Sequence, residues 1–335
     1  MVKYFIAEQK VDPSNQDKFL RTPLHYACIG GNLDLVKYLL DELSLYHPLD
    51  RSKFACEVGS NNNNPIHLAS LNGHMDIVRF FVSELNCDPN ILGEYRRTPL
   101  HMAANQGHLH IVKYLIEEQN CNPSCLDEEG STPLHHASIN GSLDAVKYLI
   151  LEKNSDPTTN RKSDNNTPIH LASLNGHLEI VRFFISDLNC DPNISGQAGT
   201  TPLHLAANQC HLHIIKYLIE EQNCSQSCLD EDGNTPLHVA SLSGSLNAVK
   251  YLSIENKCDP TLRRVIDNYT PLHLASLNGH LDIVRFFISE LNCDPNIHRK
   301  YGTTPLHLAC YQGHLHIIKY PVSYTHLTLP TIYSV

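Results

Sequence analysis

Histidine and cysteine are the side chains of this chain best suited to chemistry, with 22 of the first and 12 of the second among 335 residues. Both ligate zinc, and a thiolate beside an imidazole is a nucleophile. Two cysteine pairs, Cys121-x3-Cys125 and Cys224-x3-Cys228, recur 103 residues apart and invite a metal or redox reading. No complete four-ligand zinc spacing accompanies them. Cys87, Cys121, Cys190, Cys224, Cys258 and Cys293 share one recurring slot, where cysteine packs as a small buried hydrophobe. The histidines also keep to fixed slots. Nine belong to a recurring Thr-Pro-Leu-His word, and six follow a turn at His74, His108, His177, His211, His280 and His314. His110, His213 and His316 stand two residues further on, and a pair such as His108 and His110 does not share a helix face. Phosphate-loop, HExxH and GxSxG patterns are absent, and the acidic residues fall on turns and solvated helix faces. The chain is therefore expected not to be an enzyme and to hold no cofactor or metal. A metal-binding or redox-sensing array built on the paired cysteines is the alternative.

The elements that place these residues repeat. Thr-Pro-Leu-His, or a near variant, starts at Thr22, Asn64, Thr98, Thr132, Thr167, Thr201, Thr235, Thr270 and Thr304, with gaps of 34 or 35 residues after a first gap of 42. A fixed period of this length marks a stack of small units that cannot bury their apolar faces alone. In the unit from Thr270 to Asn296, Thr270 is placed to N-cap a helix and Pro271 sits at its first position. Leu272, Leu274 and Ala275 supply a short apolar stripe, and Gly279 stops the helix. Leu281, Ile283, Val284, Phe287 and Ile288 follow at helical spacing, and Asn292, Asp294, Pro295 and Asn296 close the unit. Each unit thus reads as helix, turn, helix and extended loop.

The Thr-Pro-Leu-His word, the Gly-His turn and the closing Asp-Pro-Asn resemble the ankyrin repeat across nearly all of residues 1–320. The resemblance implies an all-α solenoid, a curved stack of antiparallel helix pairs with hairpin-like fingers and a concave binding surface. It also implies that the nine histidines of the recurring word hydrogen-bond to backbone and threonine. Closing asparagines such as Asn90, Asn193 and Asn296 match positions that are hydroxylated in some members of the family.

A second period overlies the first. Units at Asn64, Thr167 and Thr270 share SLNGH and IVRFF, those at Thr98, Thr201 and Thr304 share a QGHLHI-type turn, and those at Thr132 and Thr235 share AVKYL. The triplet recurs every 103 residues, as duplication of whole triplets would produce. Cys210 replaces a turn glycine, and about seven extra residues fall within Ser44 to Asn63. Residues 1–13 read as a partial repeat and 22–320 as nine repeats, the last cut short. Pro321 breaks the final helix, and Val322 to Thr331 resembles a translated sequencing adapter, so 321–335 are expected to be non-native. The natural protein is expected to be longer in both directions.

The net charge of −10 argues against nucleic-acid binding, and no apolar run is long enough to span a bilayer. A monomeric cytoplasmic or nuclear protein-binding scaffold is expected, or else the regulatory arm of a larger enzyme, ubiquitin-ligase component or channel. Its partner would be another protein or a peptide segment.

Contact residues are sought where the repeat varies. Two positions before each turn should face the concave surface: Leu71 and Asn72, Asn105 and Gln106, Ile139 and Asn140, Leu174 and Asn175, Asn208 and Gln209, Leu242 and Ser243, Leu277 and Asn278, Tyr311 and Gln312. They make either an exposed apolar stripe rimmed by amides or one partly covered by neighbouring units. The fingers vary more. Tyr95, Arg96, Arg97, Arg161, Lys162, Arg263, Arg264, Arg299, Lys300 and Tyr301 make basic tips, while Asp127-Glu128-Glu129 and Asp230-Glu231-Asp232 make acidic ones. Tyr and Arg are the usual interface anchors.

Overall fold

A computed structural model describes residues 2–46, 54 and 62–318, which divide into two compact units, Met1–Gln197 and Ala198–Val335. The insertion expected within Ser44 to Asn63 falls largely outside the described residues, and the 321–335 tail lies wholly outside them. No strand occurs among the described residues, and helix pairs follow one another along the chain.

In the first unit the inner helices are Pro23–Gly30, Pro65–Asn72, Pro99–Asn105, Pro133–Ile139 and Pro168–Leu174. Their outer partners are Leu33–Tyr46, Met75–Arg79, Leu109–Lys113, Leu143–Lys147 and Leu178–Arg182. The second unit pairs Pro202–Asn208 with Leu212–Lys216, Pro236–Ser243 with Leu246–Lys250, Pro271–Leu277 with Leu281–Arg285, and Pro305–Tyr311 with Leu315–Ile318. Within each unit every inner helix packs on the next, so the helices of one repeat bury the apolar face of its neighbour.

Local chemistry explains each element. The inner helix starts on a capping residue in extended conformation with proline behind it, as at Thr270 and Pro271. Its end needs glycine twice over at Gly279. The backbone there has φ of 80°, and a Cβ would lie 2.8 Å from the imidazole of His314 in the next repeat. Ala69, Ile77, Val78 and Phe81 are fully excluded from solvent, as are their counterparts Ala275 and Phe287.

The outer helices depart from a plain α-helix. After Met75–Arg79 the chain widens into a π-helical turn, Phe80–Glu84, and the same follows Leu109–Lys113, Leu246–Lys250 and Leu281–Arg285. Cys87 N–H donates to Phe81 O across 3.0 Å, with Asn86 between them at φ of 53°. Asn120, Asn154, Asn189, Asn223, Lys257 and Asn292 take the same left-handed conformation, which asparagine tolerates better than most residues. Residues 4–11 at the amino end make this turn too, with Val11 N–H on Phe5 O and Lys10 at φ of 53°.

Cations on the outer helices join neighbouring repeats. Lys37 lies over Phe80, Arg79 over Tyr114, Lys113 over Tyr148 and Lys147 over Phe183 in the first unit, all within 5.6 Å of the ring centroid. Lys216 over Tyr251 and Lys250 over Phe286 do the same in the second. Each such stack contributes about 0.5–1 kcal/mol.

Cys210 keeps the turn geometry that its sisters reach with glycine, at φ of 59°. The next repeat presents Ser245 here instead of an imidazole, and its hydroxyl reaches Asn208 O at 3.5 Å. A side chain therefore fits, but the backbone remains strained. Cys210→Gly is expected to stabilise the second unit by about 1 kcal/mol, read as a raised urea midpoint at unchanged slope.

Candidate interaction surfaces

The histidines of the recurring word are structural. Thr132 N–H donates to His135 Nδ1 at 3.1 Å, and Thr132 Oγ1 lies 2.9 Å from the same nitrogen. On the far side Nε2–H donates to Thr159 O in the following finger at 3.0 Å. His67, His101, His170, His204, His238 and His273 likewise reach finger carbonyls with Nε2. An imidazole that accepts at Nδ1 and donates at Nε2 must be neutral. Burial pushes His67, His101, His135, His238 and His273 down to about 4.

The histidines after the turn staple repeats together. His74 Nε2 donates to Ile29 O, His108 to Leu71 O and His177 to Ile139 O in the first unit, at 2.8–3.0 Å. His280 to Leu242 O and His314 to Leu277 O repeat this in the second, each at 2.9 Å. His110 and His316 add bonds to Gly73 O and Gly279 O.

Cysteine chemistry is correspondingly subdued. Cys87, Cys121, Cys224, Cys258 and Cys293 are buried, whereas Cys190 is half-buried. Burial holds the thiols of Cys121, Cys258 and Cys293 protonated, at about 12, 11 and 11. Cys125 sits 3.8 Å from both Thr98 Oγ1 and His101 Nδ1, and its thiol is also pushed up to about 11 by burial. No three His, Cys, Asp or Glu side chains are grouped to hold a metal ion among the described residues.

One buried charge cluster stands out in the first unit. Asp127 reaches inward, its side chain wholly buried, and accepts from Ser131 N–H at 2.8 Å and His136 Nε2 at 2.9 Å. Arg97 Nε approaches the same carboxylate at 3.4 Å. Burial alone would raise the Asp127 carboxyl, but the bonds from His136 and Ser131 prevail and hold it at about 2.

On the inner helices, Leu71, Ile139, Leu174 and Leu277 are half-buried, while Leu242 is exposed and Tyr311 82% exposed. The exposed members at this turn are mostly amides: Asn72, Gln106, Asn140 and Asn175 in the first unit, Gln209, Asn278 and Gln312 in the second. Asn105 and Asn208 are half-buried. Asn72, Asn175 and Asn278 donate to the carbonyl four residues back, which leaves acceptor capacity outward. Asn140 donates to Asn105 Oδ1 at 2.7 Å, and Gln106 donates to it at 3.2 Å.

The finger tips are tied by backbone bonds, with Glu128 N–H on Tyr95 O and Lys162 N–H on Glu129 O in the first unit, and Glu231 N–H on Ala198 O in the second. The basic residues divide into two kinds. Arg97, Arg161 and Arg264 face internal carboxylates: Arg97 pairs with Asp127, Arg161 with Asp164 and Glu129, and Arg264 with Asp267. Arg96, Lys162, Arg263 and Lys300 are exposed. Arg299 is half-buried, its guanidinium 4.6 Å from the Tyr269 ring centroid, and Arg263 donates to His298 O. Tyr95 is 50% exposed and Tyr301 89%. Tyr95 and Arg96 both hold positive φ, 53° and 57°, as does Tyr301 at 67°.

Capped helix pairs, stapled by histidine and carrying polar amides and Tyr–Arg tips, define a repeat protein whose surface features are suited to contact. The family model describing ankyrin repeats, in sets of three copies, matches residues 1–92, 83–161, 100–196, 169–264 and 253–326. The chain belongs to the ankyrin-repeat family. No curated protein is significantly similar to it. No helix among the described residues is long and apolar enough to cross a membrane.

Proposed function

We propose that this chain is a non-enzymatic scaffold that binds another protein, or a peptide segment of one, through its finger tips and the amide positions of its inner helices. Ankyrin repeats generally serve as protein–protein interaction modules, which supports the class. The observation that carries the reading further is the Tyr95–Arg96 tip. Two successive non-glycine residues are held there in the left-handed region, although the corresponding finger 103 residues on has Gly199 in place of Arg96. Each such residue costs on the order of 1–2 kcal/mol. The turn is closed by Arg96 N–H on Gly93 O at 3.1 Å, a bond that glycine would make as well, while the arginine side chain is exposed. Tyrosine and arginine are also the usual hot-spot anchors.

The protonated, buried thiols argue for packing over metal binding or redox sensing.

The test places a photo-crosslinking residue at Gln106 or Arg96 in the full chain, identifies the protein captured, and measures its affinity directly. The variant combining Tyr95→Ala with Arg96→Gly is expected to weaken that affinity by about tenfold or more while the unfolding midpoint holds or rises. Arg97 is left intact because its loss would disturb Asp127. Undiminished affinity would remove the tip from the interface.

A further inference from the structure

The third triplet differs from the second in one place above all. From Thr270 to Asn296 only three of 27 residues differ from Thr167 to Asn193, and all three changes are conservative. The fingers on either side are remodelled together. Asn160, Lys162, Ser163 and Asn166 become Arg263, Val265, Ile266 and Tyr269, and Ser195, Gly196, Gln197 and Ala198 become His298, Arg299, Lys300 and Tyr301.

Folding does not demand these changes. Arg161 with Asp164 and Arg264 with Asp267 make the same pair in the two fingers, so both tips share one internal frame. Lys162 and Ser163 are exposed on theirs, whereas Val265 is 83% and Ile266 63% exposed on the other. Two aliphatic side chains have replaced polar ones where nothing covers them. The same exchange fastens the two fingers to each other. Gly196 lies against Asn166, where a Cβ would collide with the carboxamide, but Arg299 and Tyr269 take those two positions as a stacked pair. Arg263 bonds across to His298 O at 2.6 Å. The cations are available as well. Arg264 is neutralised by Asp267, but no ion pair joins Arg263, Arg299 or Lys300 to a carboxylate among the described residues.

We propose that the tips of these two fingers form a docking surface for an acidic segment of another protein. Aliphatic or aromatic side chains of that segment meet Val265, Ile266 and Tyr301, and flanking carboxylates meet Arg263, Arg299 and Lys300. Exposed apolar side chains beside unpaired cations are complementary to such a segment, and Arg–Tyr pairs supply rigid contact area. The proposal rests on the interaction-module reading and narrows it to one pair of fingers.

The test uses the full chain and a fluorescent peptide, Glu-Glu-Leu-Phe-Glu-Glu, with fluorescence anisotropy as the readout. Controls are Lys-Lys-Leu-Phe-Lys-Lys and Glu-Glu-Ser-Ser-Glu-Glu. The variant carries Val265→Ser, Ile266→Ser and Tyr301→Ala, neutral changes at side chains that are 83%, 63% and 89% exposed, so folding and local charge are both retained. Saturable binding of the acidic apolar peptide alone is expected, weakened by salt and reduced about tenfold or more in the variant. Equal binding by the variant overturns the docking surface while leaving an interaction module intact. Failure of the wild-type chain to bind the peptide overturns the docking surface too, as does binding only to phosphatidylserine vesicles. The module reading itself stands or falls separately, on the crosslinked partner and the Tyr95–Arg96 tip.

Discussion

Acidification is expected to unfold this chain near pH 5, above the range in which carboxylates protonate. The cause is the neutral imidazole at the start of the inner helices. Burial lowers His67, His101 and His135 in the first unit, and His238 and His273 in the second, from 6.5 to about 4. Geometry points the same way, because a proton added at Nδ1 would face the backbone N–H of the capping threonine, 3.1 Å away at Thr132. A folded pKa below the unfolded one means that the unfolded chain binds more protons. The stabilisation is therefore complete above about pH 6.5 and is lost as pH falls toward 4. At pH 5 each histidine has given up about 2 kcal/mol, or about 6 kcal/mol in the first unit and about 4 in the second. Net stabilities of domains run to about 5–15 kcal/mol, so such losses are decisive. Urea unfolding followed by circular dichroism between pH 7 and 4.5 should show stability falling steeply, with the slope reduced by about one proton in His135→Gln. Stability that stays flat to pH 5 and fails only below 4 would assign acid sensitivity to carboxylates.

Much of this architecture is readable from the sequence because the repeating word contains its own instructions. Thr270 caps, Pro271 starts and Gly279 stops a helix through local chemistry alone. The widened turn after Arg285 is not local in that sense. Phe286-Phe287-Ile288-Ser289-Glu290 has the composition of an ordinary helix, and its π geometry accompanies the left-handed Asn292 and packing of the repeat. The stapling histidines evade a sequence reading for another reason. His108 meets Leu71 O and His314 meets Leu277 O, each from 37 residues away, so no local pattern announces the bond.

The fingers were legible as variable and charged, but charge does not tell inward from outward. Arg96 and Arg97 are adjacent, yet one is exposed and the other turns to a carboxylate 30 residues on. Arg161 could have been assigned from Asp164, three residues later, and Arg264 from Asp267 in the same way. Val265 and Ile266 are neither cationic nor aromatic, so charge and ring content do not mark them. Their signal lies in comparison with Lys162 and Ser163, the same positions one triplet earlier.

Removing the Asp127 carboxylate is expected to destabilise the first unit by about 3–4 kcal/mol, whereas the equivalent change in the second costs about 1. The two aspartates occupy the same finger position but face different surroundings. Asp127→Ala strands His136, whose side chain is 4% exposed, leaves Arg97 without its carboxylate and deprives Ser131 N–H of its acceptor. Among the described residues the Asp230 carboxylate accepts only from Asn234, through N–H at 2.7 Å and Nδ2 at 2.9 Å, and Val239 stands where His136 would be. Asp230→Ala therefore removes local bonds without stranding a buried imidazole. Adding His136→Val to Asp127→Ala should recover part of the loss, since the orphaned imidazole is then gone. Chemical unfolding of the three variants beside the unaltered chain reads the difference, and equal losses at Asp127 and Asp230 would show that the buried cluster contributes nothing of its own. The sign with pH follows from a carboxyl held at about 2: its stabilisation is present above about pH 4 and is lost below it, after the histidines have titrated. The cluster also bears on binding. Arg97 is anchored from below by Asp127, and it lies 5.1 Å from the Tyr95 ring centroid. Loss of Asp127 should therefore loosen the tip that carries Tyr95 and Arg96, and weaken a partner's hold there without altering either residue.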